Sequence, residues 1–286
     1  MRRSAKWRTA SRWETEWSPI TCRQVEGSGG SHEVVRLGRG EPVVLVPGLA
    51  GGWKLLMPLA RRLARRHEVH LVGLSGDGAI LPRCSGVGVA DEAKSLLQAI
   101  DRLGLERPGL VGVSYGGAVA LELAVEAPGR FGSLVLSGAE AQFGRRWAAT
   151  MARRVLERFP IPDDNPFINQ FFNLLHGGKP EPGPLPDFVV RRIWETDQGV
   201  IADRLRALES FDASDRLWRV EAPTLVLAGS KDVVVPPDRQ EALARSLSHS
   251  RFATIEGAGH LGFLSHRAEV SRRIARHVGV VRRAVS

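Results

Sequence analysis

The stretch "GLVGVSYGGAVALELAVEA", Gly109–Ala127, decides how this chain is read. Its first five residues are apolar without alternation, as expected of a strand buried on both faces, and an amphipathic helix is expected from Tyr115 to the stop at Pro128-Gly129. At the junction, Gly112-Val113-Ser114-Tyr115-Gly116 carries the pattern Gly-x-Ser-x-Gly. With glycine and serine at roughly 7% each, the pattern arises by chance in about one chain of this length in ten. Its position gives it weight. A strand running directly into a helix turns sharply at Ser114, lifting the hydroxyl above the carboxyl edge of a sheet, where the first N–H groups of the helix favour negative charge. Glycines 112, 116 and 117 and Ala118 leave room for that turn and for close helix packing. Without further support, the serine reads equally as a small residue in a tight turn.

Outward from this stretch the same alternation repeats. "VVLV" (43–46), "VHLVGL" (69–74) and "SLVLSG" (133–138) read as strands, while Leu55, Leu56, Leu59 and Leu63, and then "DEAKSLLQAIDRLG" (91–104), read as helical. Residues 20–26 and 33–37 read as a hairpin around "GSGGS". Near residue 141 the rhythm breaks into aromatic and arginine residues at helical spacing, interrupted by "GGKPEPGPLP" (177–186). It resumes with "PTLVLAGS" (223–230), a helix from about Asp238, "RFATIEG" (251–257) and a helix from about His266. The expectation is an α/β fold: a mostly parallel sheet with helices on both faces and a helical cap inserted between two halves of the sheet. Residues 20–140 and 216–286 would form the core, 141–215 the cap, and 1–19 a basic extension bearing Trp7, Trp13 and Trp17.

A serine hydroxyl needs a base, itself oriented by an acid, to become a nucleophile. "LVLAGSKDVVVPP" sets Asp232 just past one strand, and "ATIEGAGHLGFLSH" sets His260 just past the last. Either residue alone has an ordinary explanation as a turn former or a solvated loop side chain. Three such residues at three strand ends, in the order Ser, Asp, His, are hard to obtain by accident. Through "PGLAGG", "GVSYGG", "GSKDVVVPP" and "GAGHLGF" the chain resembles the α/β-hydrolase superfamily over residues 20–140 and 216–286. The resemblance implies eight strands with the first hairpin antiparallel, and an acyl-serine mechanism without cofactor: Ser114 attacks, His260 moves the proton, Asp232 orients the imidazole. Glu140 is the alternative acid, because some members of that superfamily carry theirs after the corresponding strand.

The loop after "VVLV" lacks G-x-x-x-x-G-K-[ST] and G-x-G-x-x-G, so it is neither a phosphate loop nor a dinucleotide fingerprint. In the resembling family it usually reads His-Gly-x; here it reads Pro47-Gly48-Leu49. The resemblance makes the backbone N–H groups of Leu49 and Tyr115 the oxyanion donors, and backbone donation survives loss of the histidine. Pro47 fixes φ and stiffens the strand exit while offering no side-chain hydrogen bond. "GLSGDG" (73–78) departs from the commoner D-x-x-G-x-G, and its Asp77 reads as a turn former.

Composition excludes other classes. The net charge of +9 lies at the ends: residues 1–13 carry five Lys/Arg and no acid, residues 267–286 six Arg and one Glu, leaving −1 for the rest. A neutral body with basic ends argues against nucleic acid as the main partner. Two cysteines, Cys22 and Cys84, are too few for a disulfide framework, and His67, His70, His176 and His266 show no ligand spacing, so no metal is expected. No apolar run suits a transmembrane or secretory segment, and a cytoplasmic location is the default. Phe159, Phe167, Phe171, Phe172, Phe188 and Trp194 are expected mainly to pack the cap on the sheet, a subset lining an apolar cavity. The expected partner is a small, largely apolar ester or related acyl compound. A C–C bond hydrolase or acyltransferase shares these residues, and a binding or scaffolding protein of the same fold is the rival from another class. Epoxide or haloalkane chemistry is disfavoured, since in the resembling family it uses Asp where Ser114 stands.

Overall fold

Each apolar run of the sequence becomes a strand of one sheet, and all but the two edge strands find partners on both sides. The computed structural model describes residues 21–28, 30–77, 86–159, 161, 175–178 and 184–283. The expectations for Trp7, Trp13, Trp17, Phe167, Phe171 and Phe172 lie outside these residues. The strands are β1 (Thr21–Gly27), β2 (Gly30–Gly38), β3 (Glu41–Val46), β4 (His67–Val72), β5 (Gly109–Val113), β6 (Ser133–Ser137), β7 (Thr224–Gly229) and β8 (Ser250–Ile255). Their spatial order is β1-β2-β4-β3-β5-β6-β7-β8. β2 runs antiparallel to both β1 and β4, and every later pairing is parallel, so β2 alone is reversed. β2 begins three residues earlier than the sequence suggests, because Gly30 pairs with Gly27. Any Cβ at Gly27 would fall 2.3 Å from Ser95 Oγ, so only glycine lets this corner rest on the neighbouring helix.

The unbroken apolar pattern of the central strands follows from burial on both faces. Val44, Val46, Leu110, Leu134, Leu136 and Val226 face one layer, formed by α2 (Val89–Arg102), α3 (Tyr115–Glu126) and α7 (Pro237–Arg245). Val43, Leu45, Val111, Val113, Val135 and Leu227 face the other, formed by α1 (Gly52–Leu63) and α8 (Arg267–Arg283). One expectation fails here: α3 is not amphipathic, since every residue from Tyr115 to Val125 is buried. The helix lies mid-sheet and is covered by α2 and by a 3₁₀ turn at Leu217–Arg219, which leaves it no solvent face.

Between β6 and β7 the chain makes an excursion whose ends meet. Ala213 N–H donates to Ala141 O at 2.9 Å, and Gln142 pairs with Asp212 in an isolated antiparallel bridge. Its described helices are α4 (Trp147–Arg158), α5 (Pro184–Ile193) and α6 (Gln198–Glu209). Phe188 is buried in the α1 layer, as expected of a packing aromatic, but Phe159 is 60% exposed. On α4, Thr150 and Arg153 turn inward, both bonding Glu209 of α6, while Trp147, Met151 and Val155 face outward. Among the described residues no helix is long and apolar enough to cross a membrane.

β3 leads through α1 to β4 on one side, and β4 leads back through α2 to β5 on the other. The strand order therefore reverses between β3 and β5, which opens a crevice at their carboxyl ends. The Pro47-Gly48-Leu49 loop leaves β3 there, and Ser114 leaves β5 beside it.

Candidate active site

Ser114 stands between the last residue of β5 and the first of α3, at φ 55° and ψ −120°. A positive φ is rare for a residue with a Cβ and persists only where the surroundings over-determine it. Here the Ser114 N–H donates to Ser137 O of β6 at 2.8 Å, and Ser114 O accepts from Gly117 N–H at 2.7 Å. The glycines make the turn sterically possible. A Cβ at Gly116 would lie 2.3 Å from Pro47 O and 2.4 Å from Val46 O, and one at Gly117 would lie 2.6 Å from Ala139 Cβ.

The two loops named from the sequence converge on this hydroxyl. His260 Nε2 is 2.9 Å from Ser114 Oγ, and His260 Nδ1 is 2.9 Å from Asp232 Oδ2. A carboxylate only accepts, so Nδ1 carries the proton and Nε2 is left to accept from the serine hydroxyl. Asp232 Oδ1 accepts from the N–H groups of Val234 at 2.9 Å and Val235 at 3.0 Å. His260 and Asp232 are both buried. The imidazole sits against Gly138, where a Cβ would fall 2.7 Å from His260 Cε1. From the excursion, Leu175 O accepts from Leu261 N–H at 3.0 Å and thereby holds the His260 turn.

The structure adds Gln240, which no sequence pattern marked. It is fully buried on α7. Its Nε2 donates to Val235 O at 2.7 Å and lies 3.3 Å from Asp232 Oδ2, while its Oε1 accepts from Gly138 N–H at 2.9 Å. One amide thus fastens the Asp232 loop to the end of β6. The only available signal was its place one helical turn past Pro236-Pro237, which is too ordinary to act on.

Glu140, the alternative acid, points elsewhere. It is buried, pairs with Arg146, and reaches Arg239 at 3.4 Å. Burial raises its pKa above the ordinary carboxylate value, against the pull of both arginines. Arg146 Nη1 also donates to Val234 O at 2.9 Å, so this ion pair buttresses the Asp232 loop from outside.

Gly48 is in contact with Ser114: a Cβ there would lie 3.4 Å from its Cβ and 3.9 Å from its Oγ. Among the described residues, neither Leu49 N–H nor Tyr115 N–H has an acceptor. Tyr115 follows Ser114 in the chain, and Leu49 follows the Gly48 that meets Ser114. Asp77 does form the expected turn, its Oδ2 accepting from Leu74 N–H at 2.9 Å, and it also pairs with Arg204. His67 and His70 are buried within β4. Among the described residues no three His, Cys, Asp or Glu side chains gather as a metal-ligand set.

Comparison with known proteins bears on the same residues. A profile of the alpha/beta hydrolase fold matches residues 41–267. The chain is 31% identical over 256 residues to the pimeloyl-[acyl-carrier protein] methyl ester esterase of Chromobacterium violaceum, covering 86% of this chain and 97% of that protein. It is 30% identical over 262 residues to polyketide synthase ThaQ of Burkholderia thailandensis, covering 86% of this chain but only 12% of that much longer protein. Among solved structures, the esterase EaEST from Exiguobacterium antarcticum superposes with a TM-score of 0.82 at 22% identity, over 91% of this chain and 100% of that one.

Proposed function

The chain belongs to the alpha/beta hydrolase fold family, and from that premise we propose that it is a serine hydrolase of carboxylic esters acting through an acyl-serine intermediate. The observation that carries the proposal is the continuous chain Ser114 Oγ–His260–Asp232, with two 2.9 Å links. His260 Nε2 takes the hydroxyl proton as Oγ attacks the ester carbonyl, and Asp232 stabilises the imidazolium that forms. The carbonyl oxygen becomes an oxyanion held by the N–H groups of Leu49 and Tyr115, each worth on the order of 10²–10³ in turnover. His260 then protonates the departing alkoxide, and water repeats the sequence on the acyl-enzyme with the same proton path. Asp232 is the acid in this reading because it meets His260, whereas Glu140 is held by Arg146 and Arg239.

Residues 141–215 form the cap of this enzyme, and the substrate is a small, largely apolar ester. The similarity to a methyl ester esterase supports an ester bond, and Leu49, next in the chain to the Gly48 that meets Ser114, supports an apolar acyl group. Labelling with a fluorophosphonate tests the proposal. The wild type should label once, at Ser114, and Ser114→Ala should not label. A folded wild type that hydrolyses no p-nitrophenyl ester and takes up no probe overturns it.

A further inference from the structure

The Pro47-Gly48-Leu49 loop cannot brace itself through its own side chains, since Pro47 and Gly48 carry no hydrogen-bonding group and Leu49 is apolar. Its polar anchors come from the excursion between β6 and β7. Arg204 of α6 is 4% exposed at its side chain, and its Nη1 donates to Leu49 O at 2.8 Å. Its Nη2 donates to Ser75 O at 3.0 Å and to Asp77 Oδ1 at 2.9 Å. The guanidinium carbon lies 5.7 Å from the centre of the Tyr115 ring. One residue therefore touches both Leu49 and Tyr115. Two residues further along the same loop, Gly51 N–H donates to Thr196 Oγ1 at 2.9 Å, from the turn between α5 and α6.

A buried guanidinium is costly unless its charge and its donors are matched. Burial works against the Arg204 cation, but the neighbouring Asp77 and Glu92 charges outweigh it and keep its pKa above the ordinary value. Asp77 is itself fixed by Leu74 N–H, and Glu92 accepts from both Ser75 N–H and Ser75 Oγ, so the 73–77 turn is a rigid abutment. α6 also seats on this turn: a Cβ at Gly76 would meet both Val200 methyl groups at 2.9 Å.

We propose that Arg204, aimed by Asp77 and assisted by Thr196, is the positioning residue of the oxyanion hole, fixing the Leu49 carbonyl, one Cα away from the Leu49 N–H, and the Tyr115 ring from the cap side where the loop's own sequence offers no brace. The inference rests on the acyl-serine reading above. It makes the cap part of the chemistry, because the two donors hold their mutual geometry only while α6 is docked. Arg204 itself does not touch the substrate. Lysine cannot replace it, having no fork to reach Leu49 O and Asp77 together.

The test compares wild type, Arg204→Met, Arg204→Lys, Asp77→Asn and Thr196→Val in steady-state hydrolysis of p-nitrophenyl butyrate. It adds inhibition by a trifluoromethyl ketone, which forms a tetrahedral oxyanion on serine, and fluorophosphonate titration to count active sites. Per titrated site, Arg204→Met should lose about 10²-fold in kcat with KM little changed, since about 1 Å of donor misplacement has that effect. Affinity for the ketone should fall in parallel. Arg204→Lys should lose at least about tenfold, and Asp77→Asn and Thr196→Val less. If Arg204→Met does not fold, Arg204→Lys carries the same prediction. Loss explained wholly by fewer titratable sites, or unchanged kcat and ketone affinity per site, overturns the inference while leaving the serine mechanism intact. A wild type that neither labels nor turns over overturns the serine reading and this inference with it.

Discussion

Gly116→Ala sets the two halves of the proposed oxyanion hole against each other. The new Cβ would lie 2.3 Å from Pro47 O and 2.4 Å from Val46 O. Real side-chain carbons essentially never come closer than 3.0 Å to such an atom, so relief needs at least 0.7 Å of movement, the difference between 3.0 and 2.3 Å. Both partners of the clash are backbone, and neither can rotate away. Pro47 lies two residues before Leu49, and Gly116 follows Tyr115, so whichever segment yields, the two N–H groups change their separation by a similar distance. A shift of that size costs on the order of 10²-fold in turnover, and overpacking of this kind costs about 1–3 kcal/mol of stability. The assay is steady-state hydrolysis of p-nitrophenyl butyrate beside a thermal melt, where each kcal/mol should lower Tm by about 2–4 °C. Expected are a kcat near about 1% of wild type, a KM changed by less than about threefold, and a lowered Tm. A destabilised variant with wild-type kcat would show that the pair Leu49 and Tyr115 does not stabilise the transition state.

Other perturbations separate the remaining assignments. Asp232→Asn should cut turnover by about 10⁴-fold through the wrong imidazole tautomer, while Glu140→Gln should leave turnover near wild type; the reverse outcome would move the acid to Glu140. Arg216→Ala strips the buried Glu122 carboxylate of its bidentate partner at 2.8 and 3.0 Å. A melt should report a loss of about 2–3 kcal/mol, below the fully buried range because the guanidinium is part-exposed, and Glu122→Leu in the same chain should recover most of it. Burial holds His67 and His70 below the ordinary histidine pKa of 6.5, for His70 despite its bond to Glu68. Between the folded-state values and 6.5 the unfolded chain binds more protons, so this stability is complete above 6.5 and is lost as pH falls below it. Denaturant titrations from pH 7.5 to 5 should show a slope of at most about 1.4 kcal/mol per pH unit for each such histidine. His70→Gln should flatten that slope, and an unchanged slope would mean that other groups set it.

The strand and helix pattern was legible because it is a local consequence of burial. Runs such as "VVLV" and "GLVGV" are apolar throughout since the sheet is covered on both faces, and the glycines at the Ser114 turn register clashes only one residue type avoids. The residues Ser114, Asp232 and His260 were legible for a related reason: each follows an apolar strand in a loop opened by glycine or closed by proline. α3 was misread as amphipathic because its cover, α2 and the turn at 217–219, comes from distant sequence.

By itself, then, the sequence determined the layered α/β arrangement, the turn at Ser114 and the order of Ser114, Asp232 and His260 along the chain, all of which follow from short-range patterning. Only the tertiary structure decided what steadies them. Gln240 reaches Gly138 across 102 residues, Thr196 reaches Gly51 across 145, and Arg204 reaches Leu49 across 155. Polar partners of that kind obey no period and resemble surface residues in a linear chain. Each is chosen by the one neighbour whose buried hydrogen bond it completes, and that neighbour exists only once the sheet has closed and α6 lies across its carboxyl edge.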